Sequence, residues 1–163
     1  MTPPWIIQVK RLVINERTAE WCRLPYPGHK RGCPKYGKDP LCPPKVGPLW
    51  CHFDLSGPLC LVHSEFDLPK DIGRRKLLNP KATEAQLKCV LYWQDSSRKI
   101  LRNRVRLAQY HYLHDQQLNE VSYCPEAMGL NVYATARLSG LHLEKIHDLK
   151  ICRHVALLGR RKS

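Results

Sequence analysis

Between residues 21 and 58 the chain meets a proline or glycine every few positions, from Pro25, Pro27 and Gly28 to Gly57 and Pro58. Proline has no amide donor and fixes its own φ, so this stretch can be neither a regular helix nor a central strand. A structureless segment of this length inside a compact domain needs something else to hold it. Five of the eight cysteines, Cys22, Cys33, Cys42, Cys51 and Cys60, lie in it or at its end. Thiols are therefore the first candidates for what fixes the segment.

Cys33, Cys42, Cys51 and Cys60 recur every nine residues, and no closely spaced C-x2-C pair exists anywhere in the chain. That absence argues against a zinc ribbon and against thioredoxin-like redox chemistry. The neighbours say more. Cys33 opens Cys33-Pro34-Lys35-Tyr36-Gly37 and Cys42 opens Cys42-Pro43-Pro44. A Cys-Pro step is a recurrent neighbour of iron–sulfur ligands, where loops wrap the cluster, and nearby glycines let backbone amides approach an inorganic centre. Cys124 is the best-placed distant thiol, because it stands just before Pro125 and a helix start favours a thiolate. Cys51 and Cys60 compete for the role, though Cys60 falls in an apolar strand pattern. Cys89 and Cys152 read as core residues.

Cys22-Arg23-Leu24-Pro25, Cys33-Pro34-Lys35-Tyr36-Gly37 and Cys42-Pro43-Pro44 resemble the N-terminal motif of an uncharacterised prokaryotic family of predicted metal-binding proteins. The stretch from Pro125 to Ala136 is similar to that family's C-terminal helix. Family members usually carry a further ferredoxin-like group of cysteines, which this chain lacks. The resemblance therefore implies one metal or iron–sulfur site at Cys22, Cys33, Cys42 and Cys124, and it implies no particular reaction.

Outside the cysteine segment the pattern is regular. Residues 5–14, WIIQVKRLVI, read as a strand, and PLCLVHSEFDL reads as a second, ended by Pro69. Thr83-Glu84-Ala85-Gln86 has the form of a capping box and opens a helical stretch to about Tyr112, with a break expected near Asp95-Ser96-Ser97. Residues 125–138 predict another helix, stopped by Gly140, and the stretch LKICRHVALLG predicts a last strand before a basic end. The expectation is one α+β domain over residues 1–163, with strands near both termini, two or three helices and a long Cys/Pro-rich loop.

The formal net charge of +13 asks for an anionic partner, with nucleic acid, RNA or DNA, first in line. On a helix, Arg98, Arg102 and Arg106 form one stripe, flanked by Lys99 and Arg104, with no acid between residues 98 and 106. Arg160, Arg161 and Lys162 add a basic end. Tyr36, Trp50, Tyr92, Trp93, Tyr110 and Tyr112 are candidate stacking surfaces. His111 and His114 share a helix face with Asp115, a pattern open to metal or general-base use but commoner at a solvated helix end; Cys51-His52 and Cys60 with His63 offer nitrogen donors that would favour zinc.

No apolar run has the length of a membrane span, and the first residues do not read as a secretory signal, so a cytoplasmic, reducing setting is expected for the thiols. These readings give an iron–sulfur protein with a basic nucleic-acid surface, acting in sulfur or redox chemistry on a nucleotide. The alternative is a non-enzymatic nucleic-acid-binding module stabilised by zinc.

Overall fold

A computed structural model describes residues 1–26, 28–145, 148 and 150–163, and all but the side chain of residue 90 within them. Its centre is a four-stranded antiparallel sheet in the order β1 (Ile6–Gln8), β2 (Cys60–His63), β6 (Val155–Gly159), β4 (Glu120–Ser122). Ile6 pairs with Val62, Cys60 with Leu158, and Val121 with Leu158. A second small sheet joins β3 (Phe66–Asp67) to β5 (Ile151–Cys152). The fold is α+β, as the alternation of patterns requires.

β2 is buried along its whole length because both faces of the sheet are covered. Alternate side chains point to opposite faces of a strand. Leu61 and Leu157 face a cluster with Leu49, Phe53, Met128 and Leu130. Cys60, Val62, Ala156 and Leu158 face Leu101, Val105 and Ala108 of helix α3 (Gln94–Leu107) and its continuation. A third cluster, Leu68, Trp93 and Cys152 with Phe66, lies under the small sheet, where the Phe66 and Trp93 rings stack at 5.9 Å.

The sequence reading needs several corrections. The first strand is only three residues long; beyond it the Val9 amide donates to the Leu59 carbonyl, the chain bends at Lys10, and Ile14 is bridged to Leu130. Pro69 does not end a strand but occupies the first turn of α1 (Leu68–Leu78), which Asp67 caps. The Thr83–Gln86 capping box is present in both directions, yet α2 (Glu84–Lys88) is short. The break comes at Cys89–Trp93, earlier than Asp95, and the helix runs on as a wide turn over Ala108–Tyr112. The helix expected at 125–138 is a short tight turn, Pro125–Met128, and then α4 (Val132–Leu138), because Gly129 turns left-handed at φ 92°. The last strand is two strands, β5 and β6; Leu149, the first residue of the expected strand, lies outside the described residues.

Candidate metal centre and the adjoining cleft

The cysteine segment is irregular, as its prolines demand, and local contacts set where each thiol stands. Residues Glu16–Arg23 form a tight helical turn lying along Pro125–Met128. The Thr18 hydroxyl donates to the Glu126 carbonyl at 2.8 Å, and the Asn15 amide donates to the Gly129 carbonyl at 2.7 Å. This docking brings Cys22 and Cys124 together, although a hundred residues separate them. Gly32 then sets Cys33 on Cys22. Its φ is +78°, and a Cβ there would stand 2.6 Å from the Cys22 carbonyl oxygen. The Cys33 amide donates to that same oxygen at 2.6 Å. Cys42 is held by its own turn, where its carbonyl accepts from Val46, a residue of the core.

Cys22, Cys33, Cys42 and Cys124 are close enough for their charges to interact. Burial pushes the Cys22 thiol up to about 11, helped by the charges of Glu126, Cys33 and Cys42. It pushes Cys124 up to about 12, helped by Glu126, Cys42 and Cys22 and opposed by Arg98. Cys42 is raised by burial, Asp39 and Cys33. Cys124 keeps exposed surface, but that surface opens into a cleft crowded with other groups. Among the described residues no group of three or more His, Cys, Asp or Glu side chains is arranged to hold a metal ion. The thiols are neighbours without being drawn into a coordination sphere.

The other four cysteines stand apart from this group. Cys60 is buried in β2, its thiol raised to about 11 by burial alone. Cys51 is exposed and Cys89 half-buried at the end of α2. Cys152 is fully buried and borders the cleft at the second-sheet end, in β5. Of the histidines, His52 donates Nε2–H to the Val46 carbonyl at 2.6 Å, and His63 is buried in β2. His114 and Asp115 pair at 2.7 Å on the exposed short turn His114–Gln116.

The cleft encloses about 680 Å³ and is lined by Cys33, Cys42 and Cys124 on the thiol side and by Arg98, Arg102 and His154 elsewhere. Arg98, Lys99, Arg102 and Arg106 are exposed, as the stripe requires. Arg104 is different. It donates to the His63 carbonyl at 2.7 Å, lies 5.5 Å from the Trp5 ring centre and 3.7 Å from Glu65, so it braces the fold. The basic end is also tied down: Arg160 donates to the Gln116 carbonyl, and Arg161 pairs with Glu120 at 2.8 Å. The amide of Lys162 donates to the His52 carbonyl, while its side chain is exposed. Trp93 is buried and is no stacking surface; Trp50, Tyr92, Tyr110 and Tyr112 are exposed.

Sequence reasoning missed two features. Glu126 sits beside the thiols with its carboxyl pushed up by burial, and only the proximity of Cys124 hinted at it. Tyr123 lies beside Arg102 and Arg106, both of which lower its hydroxyl against the effect of burial, and it offers an exposed ring next to the stripe. Among the described residues no helix is long and apolar enough to cross a membrane. No family model matches the chain, and no curated protein or solved structure matches it.

Proposed function

We propose that the chain binds one iron–sulfur cluster through Cys22, Cys33, Cys42 and Cys124 and presents the basic stripe of α3 to nucleic acid, with sulfur or redox chemistry on a nucleotide as its activity. The observation that carries this reading is the proximity of four thiols from separate parts of the chain, three of which, Cys33, Cys42 and Cys124, line a cleft bordered by Arg98 and Arg102. The donor set suits the group. All four donors are sulfur, the ligand that iron–sulfur clusters take; Cys33, Cys42 and Cys124 stand on loops beside a proline, and Cys22 lies near the end of the turn Glu16–Arg23. The raised pKa values of Cys22, Cys42 and Cys124 reflect burial first and the neighbouring negative charges second, an effect that a cationic centre would reverse. Metal uptake by these thiols would release their protons, so binding would tighten as pH rises.

A bound cluster would supply electron transfer; were only Cys22, Cys33 and Cys42 to hold it, the iron left without a protein thiolate would also offer a place for a sulfur atom. The chain's own residues do the rest. Arg98 and Arg102 attract phosphate at the mouth of the cleft, and Tyr123 offers a ring on which a base stacks.

Anaerobic purification followed by iron and acid-labile sulfide analysis tests the centre. The expected result is a coloured protein with iron and sulfide in equal amounts, both lost when Cys22, Cys33 and Cys42 are changed together to serine. Colourless protein with stoichiometric zinc overturns the cluster and leaves a zinc-stabilised nucleic-acid-binding module.

A further inference from the structure

The cleft has a second wall that the thiols do not use. Trp93 and Arg98, at the start of α3, line it together with Arg153 and His154, just before β6. A chain of hydrogen bonds fixes the histidine. Its backbone amide donates to Ser64 Oγ at 3.0 Å. Ser64 Oγ lies 2.7 Å from Ser97 Oγ, which lies 2.8 Å from His154 Nδ1. An amide can only donate, so Ser64 accepts there and must send its own proton onward. Ser97 at 2.7 Å is a better acceptor than the His154 carbonyl at 3.5 Å. Having accepted that proton, Ser97 gives its own to Nδ1. Both serines are fully buried, so solvent does not compete.

A neutral imidazole whose Nδ1 accepts carries its proton on Nε2. Burial, reinforced by Arg98, holds His154 neutral by lowering its pKa to about 4. Among the described residues Nε2 makes no hydrogen bond, and the Trp93 indole N–H and Arg153 Nε are buried without partners. Trp93 is only 5% exposed. The first turn of α3 also lacks a side-chain cap. The acids at the cleft are already engaged: Glu120 with Arg161, Glu144 with the amides of Lys150 and Ile151, and Asp39 with the amide of Leu41. Glu126 lies with the thiols. Arg153 also reaches Glu65, at 3.8 Å through its terminal nitrogen, and Glu65 is shared with Arg104, so the second wall offers Arg98, the partly compensated Arg153 and unspent donors.

We propose that this wall binds a phosphate group, with Arg98 and Arg153 supplying charge and His154 supplying a directed Nε2–H donor, so that one nucleotide unit occupies the cleft beside the thiols. Ser64 and Ser97 are positioning residues that set the histidine tautomer. The cleft volume lies within the range of small-ligand sites. Only the choice of a nucleotide rests on the preceding reading. The phosphate site itself stands whether or not a cluster is bound.

Calorimetric titration of the full chain, as purified and after chelation, tests the site with three probes: inorganic phosphate, a nucleoside 5′-monophosphate and a short 5′-phosphorylated oligonucleotide. Binding of phosphate is expected in both preparations, and the tightest of the three probes identifies the source of the group. Arg98→Gln is expected to weaken each probe about tenfold, the loss of one charge-assisted pair, with partial rescue in Arg98→Lys. Ring 15N shifts of His154 are expected to show the Nε2–H tautomer, with Nε2 moving as phosphate is added. Ser97→Ala is expected to populate the other tautomer, a change that lost stability alone does not produce. An Nδ1–H tautomer in the unchanged chain, or a His154 ring that does not respond to millimolar phosphate together with unchanged affinities in Arg98→Gln, overturns the proposal. Because chelated protein is included, failure of the metal reading leaves this result interpretable.

Discussion

Arg104 and Arg106 stand two positions apart on α3 and do opposite work. The Arg104 guanidinium satisfies the carbonyl of buried His63 and covers the Trp5 ring. Arg104→Ala leaves that carbonyl unpaired, at a cost of about 1–3 kcal/mol in urea unfolding. Arg106 is exposed, so Arg106→Ala should stay within about 0.5 kcal/mol of the parent while weakening nucleic-acid binding. Equal destabilisation by the two would refute the distinction. His154 gives a residue-scale pH dependence. Its folded pKa is lowered from 6.5 to about 4, so folding favours the neutral ring. The associated stability is fully present above pH 6.5 and is lost as pH falls toward 4, by up to about 3 kcal/mol. His63 is lowered by burial as well and acts in the same direction. Unfolding free energies at pH 7 and pH 4.5 check this, and His154→Gln should flatten the difference.

At the scale of elements, Gly32 joins the loop to its first cysteine. An added Cβ would lie within 2.7 Å of the backbone at Cys22 and Arg23, and no side chain can yield to relieve it. Gly32→Ala is expected to part Cys33 from Cys22 and to abolish metal uptake while the sheet survives, a separation that circular dichroism and metal analysis together would detect. Sequence reasoning found what local chemistry determines. The reciprocal bonds of Thr83 and Gln86 need only their own turn, and Gly140 ends α4 left-handed at φ 93°. It failed where partners are distant. β4 is three residues that become a strand only by pairing with β6, and Pro69 suits a strand end and a helix start equally. The site divides in the same way. Cys-Pro steps flag the thiols along the chain, whereas Ser64, Ser97 and His154 meet across 33 and 57 residues with no motif to announce them.

For the whole molecule the net charge of +13 matters less than where it is free to act. Arg104, Arg160 and Arg161 are engaged within the fold, which leaves Arg98, Arg102 and Arg106 as a stripe passing from the surface into the cleft. Each phosphate neutralised on a single strand contributes about −0.7 to the slope of log affinity against log salt. Three contacts along the stripe therefore account for a slope component of about −2. Replacing Arg98, Arg102 and Arg106 together by glutamine should remove that component and lower affinity for every sequence alike. Replacing Arg160 and Arg161 should leave the slope almost unchanged, because their guanidinium groups already face Gln116 and Glu120. Measuring the slope for parent and both variants from low to physiological salt decides the matter. A slope that falls with the terminal pair but not with the stripe would move the nucleic-acid interface away from α3, and with it the route by which a nucleotide reaches the thiols.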